Sequence, residues 1–341
     1  MTDPGVKTEM LGERSAGAPS AGPASGTLAQ FWQPRYWPTW LLWLWMQLTA
    51  RIPLSWALFI HERIGGLLHA LPSRTRSIVR RNLELCFPEL SSEERRQLER
   101  RHFAALAAAF AEAAIAWCAT DRHLEDRFEV IGLENLNRAL ELGKGVILYT
   151  GHFTGLEICG RPLKQLTPLF ACMFSRRSNA MLDEIQRRGR VRCAHEAVPR
   201  DRVRAMLSSL KRNAVVWYAP DQVPHGNNAA LLPFFGEPAM MNTATSALAR
   251  VSGAAVVPFS YRRIRGQARY ELRILPPLED FPSDDATADT RRLNALLEDF
   301  IRACPEQYFW PQKKFKGRPD MPDPYARHAA QRGDAAEDSA R

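Results

Sequence analysis

A histidine followed five residues later by a glutamate, His152 and Glu157, stands in the run Tyr149-Thr150-Gly151-His152-Phe153-Thr154-Gly155-Leu156-Glu157. Imidazole titrates near neutrality and can serve as a base at physiological pH. A carboxylate one turn into a following helix can fold back to the ring, hold one nitrogen as a donor and leave the other free to take a proton. Acyl transfer from a thioester to a hydroxyl needs such a base, because an alcohol is not nucleophilic until its proton is being removed. The small residues around His152 permit a sharp turn and close approach of a substrate. Spacing alone is a weak signal, and a histidine satisfied within the core accounts for it as well. Of the eight histidines, only His152 has an acid at that offset, and it also follows an apolar run.

That run, Gly145-Val146-Ile147-Leu148-Tyr149, reads as a short buried strand. The pattern recurs downstream: apolar Leu169–Phe174, a helix near 179–189, apolar Ala214–Tyr218, a helix around 242–252 and apolar Ala254–Tyr261. Strands alternating with helices predict an α/β fold with a mostly parallel central sheet covered on both faces. Ligands of such sheets sit beyond the carboxyl ends of the strands, where His152 lies. Residues 268–275 alternate like an edge strand, and 287–303 read as a closing helix. Ser91-Ser92-Glu93-Glu94 is a capping pattern that opens a long amphipathic helix over 91–118. Asn242 and Thr243 read as helix N-caps. The apolar loop before them, Leu231–Gly236, suits either an acyl-chain groove or core packing.

From Trp37 to Ile60 the chain is apolar and rich in tryptophan, about as long as the roughly 20 residues that span a bilayer. Arg51 and two prolines interrupt it, so it is expected to span the membrane, to lie in its interface, or to form a buried helix hairpin. No cleavage site follows, so it should stay attached as an anchor. Arg74, Arg76, Arg80 and Arg81 follow the segment, which by the positive-inside tendency places the body on the cytoplasmic side.

The 341 residues carry a net charge of +9, which favours an acidic partner such as lipid headgroups or an acidic carrier protein. Basic residues alternate with aromatics around Lys313, Lys314, Lys316 and Arg318, but no nucleic-acid-binding motif accompanies them, so no nucleic-acid partner is expected. No P-loop occurs. The six scattered cysteines form no CxxC pair, which argues against structural zinc and a disulfide framework. The composition of both ends suggests tails over 1–30 and 321–341, a membrane-anchoring segment over 31–70 and a folded body over 71–320.

The run GHFTGLE, with WYAPDQ at 217–222, LLPFFGEPAMMNTATSALAR at 231–250 and PEQYFWPQKKFKGRP at 305–319, resembles the lipid A biosynthesis late acyltransferases, the lauroyl and myristoyl transferases of Gram-negative inner membranes. The resemblance covers about 31–320 and departs from the usual pattern at Pro311-Gln312. It implies a glycerolipid-acyltransferase-like fold with an N-terminal membrane helix. It also implies transfer of an acyl group, of lauroyl or similar length, from acyl carrier protein to a hydroxyacyl chain of the Kdo-bearing lipid A precursor, at the cytoplasmic side of the inner membrane. His152 and Glu157 take the family's catalytic pair, Arg190 an arginine near the active site, and Asp221 the aspartate of an APD motif. Arg187, Arg188, Arg190 and Arg192 could bind lipid phosphate or stabilise charge on the thioester oxygen, although a solvated helix face explains the cluster too. Asp221 could orient an arginine or cap a turn. No metal or organic cofactor is implied, since the thioester arrives activated. Two rivals remain: an acyltransferase acting on another lipid, such as a phospholipid, ornithine lipid or glycolipid, and a membrane-tethered binding protein in which His152 is dispensable.

Overall fold

The computed structural model describes residues 27–224 and 228–326. The expected tails fall largely outside these residues. Tyr325, however, is buried, and its hydroxyl donates to Asn82 Oδ1.

The apolar stretch at 37–60 does not form one long helix. It breaks into α1 (Trp37–Thr49) and α2 (Leu54–Ala70), with Pro53 at the junction. Proline lacks the amide donor a continuing helix requires, and it starts a new helix readily. At about 1.5 Å per residue, α1 is roughly 20 Å long, short of the roughly 30 Å hydrocarbon core. No helix among the described residues is long and apolar enough to cross a membrane, which corrects the expectation of an N-terminal membrane helix. The hairpin is only half buried. Leu58 and His61 face inward, while Trp37, Leu41, Trp56 and Leu67 are 62–73% exposed.

Helix α3 (Arg74–Cys86) leads to α4 (Ser92–Cys118), whose start carries the anticipated capping box between Ser91 and Glu94. The alanine-rich second half of α4 lets its neighbours approach closely. At Gly65 of α2, a Cβ would stand 2.4 Å from the Phe103 carbonyl, so only glycine fits this crossing.

The body continues through β1 (Phe128–Ile131), α5 (Leu133–Glu141), β2 (Val146–Tyr149), α6 (Leu156–Leu166), β3 (Phe170–Phe174), α7 (Ala180–Cys193), β4 (Glu196–Pro199), α8 (Val203–Lys211) and β5 (Val215–Tyr218). A hairpin of β6 (Ala229–Phe234) and β7 (Glu237–Asn242) follows, then α9 (Ala244–Ser252), β8 (Ala255–Arg263), β9 (Tyr270–Ile274) and α10 (Ala286–Ala303). Seven strands form one sheet in the order β1-β9-β8-β2-β5-β3-β4, with every pairing parallel except β8 with β9. The mostly parallel sheet is therefore as the alternation predicts.

Two expectations change. Tyr270–Ile274 is not the edge, because β1 pairs outside it. The segment 231–236 is a strand and tight turn rather than a loop, with Phe234 and Phe235 buried among Tyr308, Trp310 and Phe315.

Strand β2 shows why its residues are uniformly apolar. Val146 and Leu148 join the core with Ile115, Cys159 and Leu163 of α4 and α6, whereas Ile147 and Tyr149 join Met206, Ala249 and Leu293 of α8, α9 and α10. Successive side chains of a strand point to opposite faces, so a sheet covered on both sides needs an apolar residue at every position.

Candidate active site

Tyr149 of β2 pairs in register with Tyr218 of β5, and the Thr150 amide extends the ladder by donating to the Tyr218 carbonyl at 3.0 Å. Past these tyrosines both chains turn out of the sheet, and His152 meets Asp221. The His152 Nδ1–H donates to Asp221 Oδ1 at 2.5 Å, and the His152 backbone amide donates to Oδ2 at 3.0 Å. Both carboxylate oxygens of Asp221 thus bond to His152. The Asp221 side chain is fully buried while that of His152 is 30% exposed, so the imidazole bridges interior and surface.

The turn is clamped from several sides. A Cβ at Gly151 would lie 2.5 Å from Leu297 and 3.4 Å from Asp221 Oδ2, so the close approach of the two chains depends on glycine there. The Tyr261 hydroxyl donates to the Gly151 carbonyl and accepts from the Phe153 amide. From the C-terminal segment, the Phe309 amide donates to the His152 carbonyl at 2.9 Å, and the Thr154 amide donates back to the Gln307 carbonyl at 2.8 Å.

The Nδ1–H bond fixes the tautomer in which Nε2 carries the lone pair. Nε2 is 3.4 Å from the exposed Gln222 side-chain nitrogen. Burial disfavours the imidazolium, but the charge and hydrogen bond of Asp221 outweigh it and raise the His152 pKa above 6.5. Burial also works against the Asp221 anion, yet His152 and Lys314 hold that carboxyl at about 2.

Glu157 does not fold back on the imidazole. From the first turn of α6 its carboxylate accepts from Arg190 Nη2 at 2.6 Å and from Trp117 Nε1 at 3.0 Å. Arg190 also donates to the Met173 carbonyl and lies 5.9 Å from the Phe174 ring centroid. The correction has a physical cause: Asp221, delivered by the adjacent strand, already occupies Nδ1, while α7 presents a guanidinium to Glu157. Gly189 makes room for Trp117, whose ring would otherwise lie 2.2 Å from a Cβ.

The remaining arginines go elsewhere. Arg187 and Arg188 both pair with Glu184 on α7, and Arg192 donates to the Ala119 carbonyl. Within the C-terminal basic run, Lys314 and Phe315 are fully buried rather than displayed on the surface. Among the described residues no group of three or more His, Cys, Asp or Glu is arranged to hold a metal ion.

Fold and site together define an α/β protein with a histidine held by a buried aspartate at the carboxyl ends of two adjacent parallel strands. Residues 25–317 match the family model of bacterial lipid A biosynthesis acyltransferases. The chain is 36% identical over 295 residues to the lipid A biosynthesis palmitoleoyltransferase of Escherichia coli K12, covering 85% of this chain and 94% of the relative. It is equally 36% identical over 292 residues to the lauroyltransferase of that organism, covering 84% and 94%. Against its myristoyltransferase the identity is 28% over 308 residues, covering 87% and 93%. A solved 1-acyl-sn-glycerophosphate acyltransferase from Thermotoga maritima aligns with 71% of this chain and 97% of its own at 12% identity and a TM-score of 0.33. The chain belongs to the bacterial lipid A biosynthesis acyltransferase family.

Proposed function

We propose that the protein transfers a fatty acyl group from acyl carrier protein to a hydroxyl on an acyl chain of the Kdo-bearing lipid A precursor, with His152 as general base. His152 Nε2 takes the hydroxyl proton as the oxygen attacks the thioester carbonyl. The new ester C–O bond forms, the C–S bond breaks, and the proton passes to the departing thiolate. Asp221 orients the ring and stabilises the imidazolium formed midway. The observation that carries this reading is the pair of hydrogen bonds from His152 to Asp221, which leaves the lone pair on Nε2, facing the exposed Gln222 amide.

Arg190, fixed by Glu157, supplies positive charge beside the reacting region for a thioester oxygen or a lipid phosphate. The exposed apolar face of α1 and α2 lies in the cytoplasmic surface of the inner membrane, with its tryptophans at headgroup level. The acyl group is of lauroyl or similar medium length.

The test is product mass from purified protein in detergent, given the tetra-acylated Kdo-bearing precursor and either lauroyl or palmitoleoyl carrier protein, or lauroyl-coenzyme A. One added lauroyl chain, formed faster from carrier protein than from coenzyme A, supports the reading. Preference for palmitoleoyl overturns the chain length, preference for coenzyme A overturns the donor, and acylation of a phospholipid in place of the precursor overturns the acceptor.

A further inference from the structure

Lys314 is 0% exposed, and its ammonium donates to the Asp221 carbonyl at 2.6 Å while lying 4.7 Å from the Phe234 ring centroid. Lysine is almost never buried so completely without a partner that offsets its lost hydration. Tying down the C-terminal segment does not require a cation. A neutral amide already does that a few residues away, where fully buried Asn82 donates to the carbonyls of Trp310 and Gln312 at 2.7 and 2.8 Å. The same segment grips the other half of the pair, since the Phe309 amide donates to the His152 carbonyl. Residues 309–314 therefore hold both His152 and Asp221 by their backbones, and at Asp221 they add a positive charge.

That charge matters most when the imidazole is neutral, the form in which it is a base. With no imidazolium beside it, the buried Asp221 anion needs another counterion. We propose that Lys314 is a positioning residue that fixes the Asp221 backbone and serves as the countercharge to its carboxylate whenever His152 is neutral. The proposal rests on His152 being the base. The groups facing this cluster are consistent with it. Tyr149 of β2 and Tyr308 of the C-terminal segment are phenols that burial keeps protonated, and Cys86 of α3 is a thiol held protonated in the same way. Arg190 of α7 adds a second positive charge felt by His152. Burial also lowers Lys314 itself to about 8, partly offset by Asp221, so it remains mostly charged at neutral pH.

The experiment is a titration of the His152 ring by NMR in full-length, histidine-labelled protein without substrate, assigned with His152→Gln. Wild type is compared with Lys314→Met, Lys314→Gln and Lys314→Arg. Loss of the cation makes the imidazole hold its proton more tightly, so Lys314→Met should raise the His152 midpoint by about one pH unit, and Lys314→Arg should leave it near wild type. The acid limb of kcat/KM, which reports the free enzyme, should move by the same amount, with KM for the donor at its pH plateau little changed. If Lys314→Met does not fold, Lys314→Gln carries the same prediction, because its amide removes the charge and retains a donor. A midpoint unchanged in the folded neutral variant overturns the proposal. Because the titration uses no substrate, failure of the proposed lipid reaction would show separately, as an inert wild type.

Discussion

His152 and Asp221 each lie three residues beyond a tyrosine of a register pair, Tyr149 with Tyr218, so two adjacent parallel strands deliver them to the same point. The hydrogen bonds between them follow from that shared offset. The sheet, rather than a local turn, builds the pair.

This geometry fixes a pH response. As the proposed base, His152 must be neutral to act, and its folded pKa is raised above 6.5, so kcat/KM should rise with pH along an acid limb with its midpoint above 6.5. A group with a raised folded pKa contributes stability that is fully present below 6.5 and is lost as pH rises through the folded value. Across one pH window, activity should rise while the stability due to His152 falls. Thermal melts of wild type minus His152→Gln, set beside the rate profile, check this. Opposite slopes are expected, and parallel slopes would contradict it.

Asp221 responds at the other end of the scale. Its carboxyl is held at about 2 against an ordinary 3.8, so its contribution is present above 3.8 and is lost as pH falls towards 2. Asp221→Asn should flatten acid unfolding in that window relative to wild type. A variant with unchanged acid sensitivity would show that the pair adds nothing to stability.

Glu157 should act through Arg190 and not through His152. Both side chains are mostly buried, at 18% and 12% exposed, and removing one charge strands the other. Glu157→Gln should cost roughly 3 kcal/mol of stability and reduce activity while leaving the His152 Nδ1–H bond to Asp221 in place. Loss of the His152 Nδ1–H resonance in that variant, with its retention in Asp221→Asn, would restore the direct pairing expected from spacing.

Gly189→Ala tests the packing behind that ion pair. The new methyl would drive into Trp117, whose indole N–H holds Glu157, so a loss of about 1–3 kcal/mol and a fall in kcat are expected. Calorimetry with a steady-state assay reads both.

Leu41→Asp with Leu67→Asp probes the hairpin. Both residues are well exposed, so the fold should melt as wild type does while sedimentation with anionic vesicles drops at least tenfold. Unchanged sedimentation would place the membrane contact elsewhere.

The sheet was legible because buried parallel strands leave near-continuous apolar runs, and α4 because its capping box is local. The long apolar stretch was legible only as alternatives: Arg51 and Pro53 stand out as breaks, but composition does not decide whether they bend one span or divide it into two helices. Glu157 was found, but its partner was misassigned, since an offset of five residues suggests a local contact that a neighbouring strand can pre-empt. A signal for the true partner was present. Val-Ile-Leu-Tyr-Thr-Gly-His at 146–152 and Val-Val-Trp-Tyr-Ala-Pro-Asp at 215–221 carry the same apolar, tyrosine and polar pattern at the same spacing. Reading them as paired strands aligns His152 with Asp221. The burial of Lys314 had no such signal, because a lysine in a basic run looks solvated until the fold closes over it.

The most direct measurement is kcat for wild type, His152→Ala, Asp221→Asn and Glu157→Gln on the Kdo-bearing precursor, with folding verified for each. The expected result is a loss of about 10²–10⁴-fold for His152→Ala and for Asp221→Asn, with donor KM little changed. Full activity in His152→Ala, or a wild-type rate in folded Asp221→Asn, would contradict the assignment of His152 and Asp221 as the base and the group that orients it.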